Sequence, residues 1–196
     1  MCWLVYDANR MQLRHATLAD VAEIERVMRE SIAGISSRTY DARQVESSLK
    51  YVAHLDRELV TDGTYFVVES DGAIVACGGW SRRGRLYAGN GTSDGDARLL
   101  DPETEAARIR AMFVVPGFER RGIGRMILQA CEDEARAASF RELELMAMLS
   151  GHAMYLASGY RDVEEVAGAL EDGTPFPLFR MRKAIRGRET PSGATP

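Results

Sequence analysis

One stretch of the chain decides its fold: Met112-Phe-Val-Val-Pro-Gly-Phe-Glu-Arg-Arg-Gly-Ile-Gly-Arg-Met-Ile-Leu128. It continues a run that begins at Ala107 and becomes apolar throughout, as is typical of a strand in a sheet covered on both faces. Pro116 and Gly117 end that strand. Apolar residues then recur at helical spacing, at Ile123, Ile127/Leu128, Cys131 and Ala135. The stretch therefore predicts a strand, a glycine-rich turn and a helix.

The turn itself, Arg120-Arg-Gly-Ile-Gly-Arg125, has the properties of an anion site. The first amides of a helix have no intrahelical partner and carry the positive end of the helix dipole. Gly122 and Gly124 allow the backbone to approach an anion closely, and three arginines surround them. A phosphate group is the guest that such a turn suits.

Other kinds of glycine-rich turn compete with this interpretation. A P-loop continues with Lys and then Ser or Thr after its glycines, and this turn does not. A dinucleotide-binding turn has a third glycine where Ile127 stands here, and it follows the first strand of a βαβ unit. A purely structural turn stays open as long as the six residues are considered alone.

The chain before this stretch begins with a strand and two helices. A short strand at residues 13–16 leads to Thr17, which caps a first amphipathic helix over about residues 18–32, with an acid three positions later as in a capping box. Asp41 caps a second helix after a polar loop at residues 34–40.

A β-hairpin and a long connection follow. Two β-rich runs, residues 64–69 and 73–80, are joined through Asp71-Gly72, a strong hairpin signal. Residues 81–105 are rich in Gly, Arg and Asp and are long for a structureless connection, so they form either a functional loop or a partly disordered one.

The chain after the glycine turn predicts the remaining elements. A strand covers residues 141–147, Ser150 caps a short helix, and residues 160–167 and 176–184 are a closing pair of strands. We expect residues 187–196 to be a disordered polar tail. The order is β-α-α-β-β-β-α-β-α-β-β, which predicts a single α/β (α+β) domain.

Composition limits the classes of function. The 196 residues suffice for one packed domain, with hydrophobic and charged fractions of 45% and 28%. A net charge of −4 gives no general footprint for nucleic acid or a membrane surface, and we expect neither partner. No apolar run could span a bilayer, and the start does not resemble a signal peptide. Three cysteines without metal-ligand spacing indicate reduced thiols, a cytoplasmic protein and no metal.

Two motifs in this order resemble the GNAT superfamily of N-acyltransferases. In that family a strand ending in aromatic-Val-x-Pro leads through a (Gln/Arg)-x-x-Gly-x-(Gly/Ala) turn into a helix, as residues 112–128 do. Residues 154–160, Met-Tyr-Leu-Ala-Ser-Gly-Tyr, are similar to its later Tyr-x-x-x-Gly-(Phe/Tyr) element. The resemblance covers residues 11–184 and implies a GNAT-like domain, a mixed central sheet flanked by helices, with residues 81–105 as a loop insertion.

The resemblance also implies acetyl-CoA as the acyl donor and a way to bind it. The backbone of Met112, Phe113 and Val114 is expected to pair with the pantetheine arm as though it were another strand. The pyrophosphate is expected on the backbone amides of the turn, which are those of Arg120, Arg121, Gly122, Ile123, Gly124 and Arg125.

Tyr155 matches the tyrosine that acts as general acid in the family. An amine would attack the thioester directly, through a tetrahedral intermediate, and the thiolate of CoA would leave. A phenol with a pKa of about 10 is protonated at neutral pH and can supply the proton, while a backbone amide at residues 113–115 polarises the carbonyl. A helix tyrosine that merely packs on the core is the alternative.

Three features depart from the family pattern. Glu119 stands where Gln or Arg is common, Met148 stands where many relatives have Asn, and no general base is evident. Because backbone amides carry the binding, we expect Glu119 to alter affinity modestly, and its side chain could turn outward.

Several polar side chains are candidates for supporting roles. Glu144 lies closest to where some relatives keep a carboxylate base, although a solvated strand residue is the preferred interpretation. His152 could shuttle a proton to Tyr155. Arg108 and Arg110 could lie beside the acceptor or pair with acids of residues 94–105.

Two functions from different classes are therefore compared. The first is an N-acetyltransferase acting on a primary amine, and the second is a non-catalytic acyl-CoA-binding sensor of the same fold. An enzyme of another class that uses the loop for a nucleotide is a weaker option.

The acceptor, a small molecule or a peptide amine, is expected at the first two helices, their loop and the later strands. These segments lack the acidic cluster that a strongly cationic polyamine would need, which indicates a small or neutral acceptor. A homodimer through the 81–105 loop and the final strands is left open.

Overall fold

The computed structural model describes residues 11–86 and 98–185. Seven strands are present in these ranges: β1 Met11–His15, β2 Tyr65–Ser70, β3 Ala73–Ser81, β4 Ala107–Val114, β5 Glu142–Met148, β6 Arg161–Ala169 and β7 Pro175–Ala184. The helices are α1 Val21–Gly34, α2 Ala42–Tyr51, α3 Arg57–Thr61, α4 Ile123–Ala137 and α5 His152–Ala157, with 3-10 turns at Leu18–Asp20 and Ser36–Arg38.

The strands form one sheet in the order β1-β2-β3-β4-β5-β7-β6. Every neighbouring pair is antiparallel except β4 and β5, which are parallel. This confirms the predicted fold class, a single domain with a mixed sheet flanked by helices.

Local signals place the first helices and the hairpin as predicted. Thr17 and Asp20 form the capping box, although the predicted first helix is divided into a 3-10 turn and α1. Asp41 caps α2 by accepting a hydrogen bond from Gln44 N. The hairpin between β2 and β3 turns through two positive φ angles at residues 71 and 72, 51° and 81°, as a two-residue type I′ turn requires.

Two local features differ from the sequence prediction. The helix α3 was not predicted because its five residues make little more than one turn, too few to show a period. Asp56 caps it by accepting a hydrogen bond from Glu58 N. The prediction that Ser150 caps the next helix was wrong: α5 begins at His152, and Gly151 occupies the N-cap without a side-chain bond.

The sheet separates the apolar core under α4 from two apolar clusters on its opposite face. On β5, Leu143, Leu145 and Ala147 belong to the core under α4, while Met148 packs in the cores of the opposite face. The intervening acid, Glu144, thus also points to the α1 side, because side chains alternate along a strand. On the α1 side of the sheet, side chains of the neighbouring strands β4, β5 and β7 therefore share one surface.

The cysteines of the described chain behave as small core residues. Cys77 in β3 and Cys131 in α4 are both fully buried. Burial raises the pKa of Cys77 to about 12 and raises that of Cys131 well above 9.0, so neither thiol is a nucleophile at neutral pH.

The ends of the long connection are paired with each other. Leu100 N donates to Arg82 O at 2.7 Å, and Gly84 N donates to Arg98 O at 3.1 Å. Residues 87–97 between these ends, and the predicted tail at 187–196, lie outside the described residues. Over the described ranges no helix has the length and apolarity to cross a membrane.

Candidate active site

The parallel strands β4 and β5 separate soon after they meet. They pair only at Ala107↔Leu143 and Arg108↔Glu144. The other edge of β4 stays paired with β3 as far as Val114. Within this described part of the sheet, the main chain of Met112, Phe113 and Val114 therefore faces a gap on the β5 side. The sequence-predicted pantetheine strand lies at that gap.

A β-bulge in β4 lies at the start of the gap. Two residues, Ala111 and Met112, stand opposite the single residue Gly78, and Ala111 has a φ of 50°. The Tyr65 hydroxyl, fully buried, donates to Ala111 O at 2.7 Å and fixes the bulge. A Cβ on Gly78 would stand 2.2 Å from Met112 Sδ. The adjacent glycines of β3 were the available sequence signal for this bulge, and our prediction did not use it.

The glycine turn leads directly into α4. Gly122 is the N-cap with a φ of 82°, and Met126 N makes the first helical bond to Gly122 O at 2.9 Å. A Cβ on Gly122 would meet nothing within 4 Å, whereas a Cβ on Gly124 would stand 2.7 Å from Met154 Sδ. The two glycines therefore have different causes. Gly122 allows a left-handed conformation beside open space, and Gly124 allows α5 to pack closely.

Glu119 does not take the outward orientation that the sequence had left open. One carboxylate oxygen accepts a hydrogen bond from Gly117 N, and the other lies 3.0 Å from Arg38 Nη2. Backbone amides, followed by Arg38, hold the pKa of Glu119 below its ordinary 4.5. Its charge is directed to the end of β4 and to the loop after α1.

A cavity of about 130 Å³ extends from the gap to the helices α1 and α2. It lies among the segments predicted to surround the acceptor. Its lining includes residues of β4, β5, β7, α1 and α5, among them Met28, Ser31, His54, Asp56, Arg110, Met112, Phe113, Met148, Tyr155 and Leu178.

Tyr155 is packed in the core and also reaches the cavity. It is 7% exposed and contacts Tyr160 edge to face, with ring centroids 5.7 Å apart, yet it also lines the cavity. Burial raises the pKa of its phenol further above 10.0, so the hydroxyl stays protonated. A protonated phenol can donate a proton, and it cannot act as a base.

A sequence profile of the Acetyltransferase (GNAT) family matches residues 29–160, which is more than half of the chain. The chain belongs to the GNAT acetyltransferase family. A search of curated proteins gave no significant match.

Several solved structures share this fold. The GCN5-related N-acetyltransferase of Rhodopseudomonas palustris superposes with a TM-score of 0.68 at 18% identity, covering 89% of this chain and 95% of that one. PaiA N-acetyltransferase from Thermoplasma acidophilum, in complex with coenzyme A, superposes with a TM-score of 0.61 at 15% identity, covering 89% of this chain and 98% of that one. YncA from Salmonella typhimurium, with its cofactor acetyl-CoA, has a TM-score of 0.57 at 18% identity, covering 95% of this chain and 97% of that one.

Glu144 of this GNAT chain is not a solvated strand residue, so the preferred interpretation from sequence was wrong. It is 1% exposed, and its carboxylate contacts the guanidinium of Arg108, Arg180 Nε at 2.6 Å and Arg182 Nε at 2.9 Å. The sequence prediction missed the arginines of β7, 36 and 38 residues away. A carboxylate held by three cations and absent from the described cavity lining is poorly placed to be a general base.

The remaining candidates separate clearly. His152 is paired with Asp162 at 2.7 Å and stacked on Phe179 at 3.9 Å, and it is absent from the described lining. Arg108 pairs with Glu144, whereas Arg110 lines the cavity. His54 and Asp56, to which the sequence gave no role, also line it.

Proposed function

We propose that this chain transfers the acetyl group of acetyl-CoA to a primary amine, with Tyr155 as general acid. The observation that carries the proposal is the continuity of three features. The gap beside β4 adjoins the cavity containing Tyr155, because Met112 and Phe113 belong to the gap and line the cavity. The start of α4 packs at Gly124 against Met154 of α5, the helix that carries Tyr155.

The donor side suits a CoA molecule. An extended pantetheine arm can pair with the main chain of β4 in the gap, as an added strand does. The amides from Gly122 to Arg125 precede the first bonded amide of α4, so they are available to a pyrophosphate. Coenzyme A is present in the T. acidophilum structure and acetyl-CoA in the S. typhimurium structure, which supports this donor for our chain.

We assign polarisation of the thioester carbonyl to one backbone amide of β4. The N–H of Val115 is not available to a ligand, because it donates to Val75 O in β3 at 2.9 Å. Antiparallel partners alternate along a strand, so the N–H of Val114 is directed to the gap. This narrows the predicted stretch 113–115 to the amide of Val114.

Acid and base roles follow from the groups in the cavity. Acetyl-CoA supplies a thioester whose leaving sulfur needs a proton, and the Tyr155 phenol retains one because burial raises its pKa. We assign acceptance of the amine proton to His54. Its Nε2 lies 3.0 Å from Lys50 O; when Nε2 donates to that carbonyl, Nδ1 is left as the acceptor.

The test is thiol release from acetyl-CoA with a panel of primary amines. We expect Tyr155→Phe to keep CoA affinity and to lose at least about 100-fold in kcat, the usual contribution of a general acid. Tyr160→Phe is the matched control, because Tyr160 is buried beside Tyr155 and is not part of the described cavity lining.

Three outcomes would contradict the proposal. Unchanged turnover in Tyr155→Phe removes the role of that residue. If CoA binds and no amine accelerates thiol release, the chain is the acyl-CoA sensor instead. If ATP or NAD raises the melting temperature and CoA does not, the donor site belongs to another class of cofactor.

A further inference from the structure

Arg110 is a buried cation at the wall of the cavity. Its side chain is 4% exposed, and the residue lines the cavity. Its contacts use one N–H of Nη1, to Arg85 O at 3.0 Å, and one of Nη2, to Asp56 Oδ2 at 3.4 Å. A guanidinium has five N–H donors, so donor capacity is left for a ligand.

The negative charge of Asp56 is shared between Arg110 and a second arginine. Its Oδ1 accepts from Glu58 N at 3.1 Å and so caps α3. Its Oδ2 accepts from Arg110 and also lies 3.2 Å from Arg85 Nη1. Two arginines thus share one carboxylate, whose oxygens are already engaged. Among the described lining residues Asp56 is the only acid, so the binding capacity left in the wall is that of a donor with positive charge.

A buried cation with partial compensation is costly unless a further anion pairs with it. We propose that the acceptor is a small amine carrying a carboxylate, of the amino-acid class, and that Arg110 binds this carboxylate. The inference rests on the proposed acetyl transfer and specifies its acceptor. A bidentate guanidinium–carboxylate pair fits the planar fork of arginine.

The size and lining of the cavity favour a free amino acid over a long peptide. The volume is about 130 Å³, and apolar side chains such as Met28, Met146, Phe176 and Leu178 line much of it. These side chains would contact the carbon skeleton, while Arg110 fixes one end and leaves the amine to face the donor. A peptide presenting its own carboxylate shares this chemistry, so the test includes one.

The first experiment compares acceptors with the unmodified protein in the CoA-release assay. The panel contains free amino acids with the amine at increasing distance from the carboxylate, their amides, the matched amines without carboxylate, and short peptides. We expect at least one free amino acid to exceed its amide by about 10- to 100-fold in kcat/KM, the range for a hydrogen bond to a charged group. A carboxylic acid without an amine should compete with the acceptor.

The second experiment changes the guanidinium. Arg110→Gln should reduce the preference for the amino acid over its amide to near unity, mainly through KM, while Arg110→Lys retains part of it. Arg180→Gln is the control, because Arg180 lies on the same face of the sheet and is not part of the described lining. The CoA-induced rise in melting temperature verifies that each variant keeps its fold and donor site.

The outcomes separate this inference from the proposed function. If amides or plain amines are acetylated with the same kcat/KM as the amino acids, the carboxylate inference is wrong and acetyl transfer stands. If only peptides respond, the free amino acid is wrong as the source of the carboxylate. If no amine is acetylated, acetyl transfer itself fails. The acceptor comparison decides the matter even if Arg110→Gln does not fold.

Discussion

Replacing Glu144 by Gln tests whether the buried carboxylate is structural or catalytic. The change keeps the shape of the side chain and removes its charge from a cluster of three arginines. Arg180 and Arg182 are 33% and 35% exposed and can turn to water, but Arg108 is 15% exposed. Burial, followed by repulsion from Arg182 and Arg180, lowers the pKa of Arg108 to about 10, so it remains charged at neutral pH.

The cost therefore comes mainly from one buried cation that loses its partner. Breaking a buried ion pair costs about 3–5 kcal/mol, and the exposure of two partners places this case near about 3 kcal/mol. For a domain of this size the melting temperature should fall by about 6–12 °C. Glu142→Gln is the matched control on the same strand. Its contacts are looser, 3.4 Å to Arg182 and 4.0 Å to Arg161, and should contribute less than about 1 kcal/mol.

Thermal unfolding and acetyl transfer are measured on the same samples. We expect Glu144→Gln to lose stability and, at temperatures where it stays folded, to keep the pH profile of kcat. A variant with the melting temperature of the parent, a large loss of kcat at neutral pH and no acid limb in its pH profile would refute the structural assignment and restore Glu144 as the base.

Three further changes test contacts that hold the site and the rest of the fold in place. Tyr65→Phe removes the hydrogen bond to the bulge carbonyl of Ala111 and should lower the free energy of unfolding by about 1–3 kcal/mol, together with kcat/KM; full activity would show that the bulge holds itself. Gly79→Ala places a Cβ 2.5 Å from the Thr64 carbonyl, so the soluble yield should fall sharply, and a stable variant would contradict the close contact. Hydrogen bonds from Arg14 hold the pKa of Asp20 well below its ordinary 3.8, so its contribution to stability is present above about pH 4 and is lost as the pH falls. Denaturation of Asp20→Asn from pH 7 to pH 2 should accordingly show a deficit against the parent that shrinks with acid, and a constant deficit would contradict the assignment.

The strand, turn and helix around the glycines were predictable because their signals are local. Pro116-Gly117 ends the strand, and the φ of 82° at Gly122 is a conformation that favours glycine whatever surrounds it. The capping boxes at Thr17 and Asp41 are also written within four residues of sequence. Such features need no knowledge of the tertiary structure.

The parts that sequence did not reveal depend on distant partners. The burial of Glu144 requires arginines of β7, and the charge of the cavity requires Asp56 and Arg110 to meet across 54 residues. The bulge at Ala111 depends on a tyrosine of another strand. The roles of Tyr155 and the CoA-binding residues, the cytoplasmic location and the homodimer stay predictions.

The separation of β4 from β5 also bears on aggregation. An unpaired strand edge usually attracts the strands of other chains, and proteins protect the rim of a sheet for that reason. Here the unpaired edge lies inside the sheet, between two strands that are joined at one end. A narrow ligand can enter such a notch, whereas the edge of another folded sheet has no room to align with it. The unpaired edge of β4 is thereby kept from pairing with the strands of other chains.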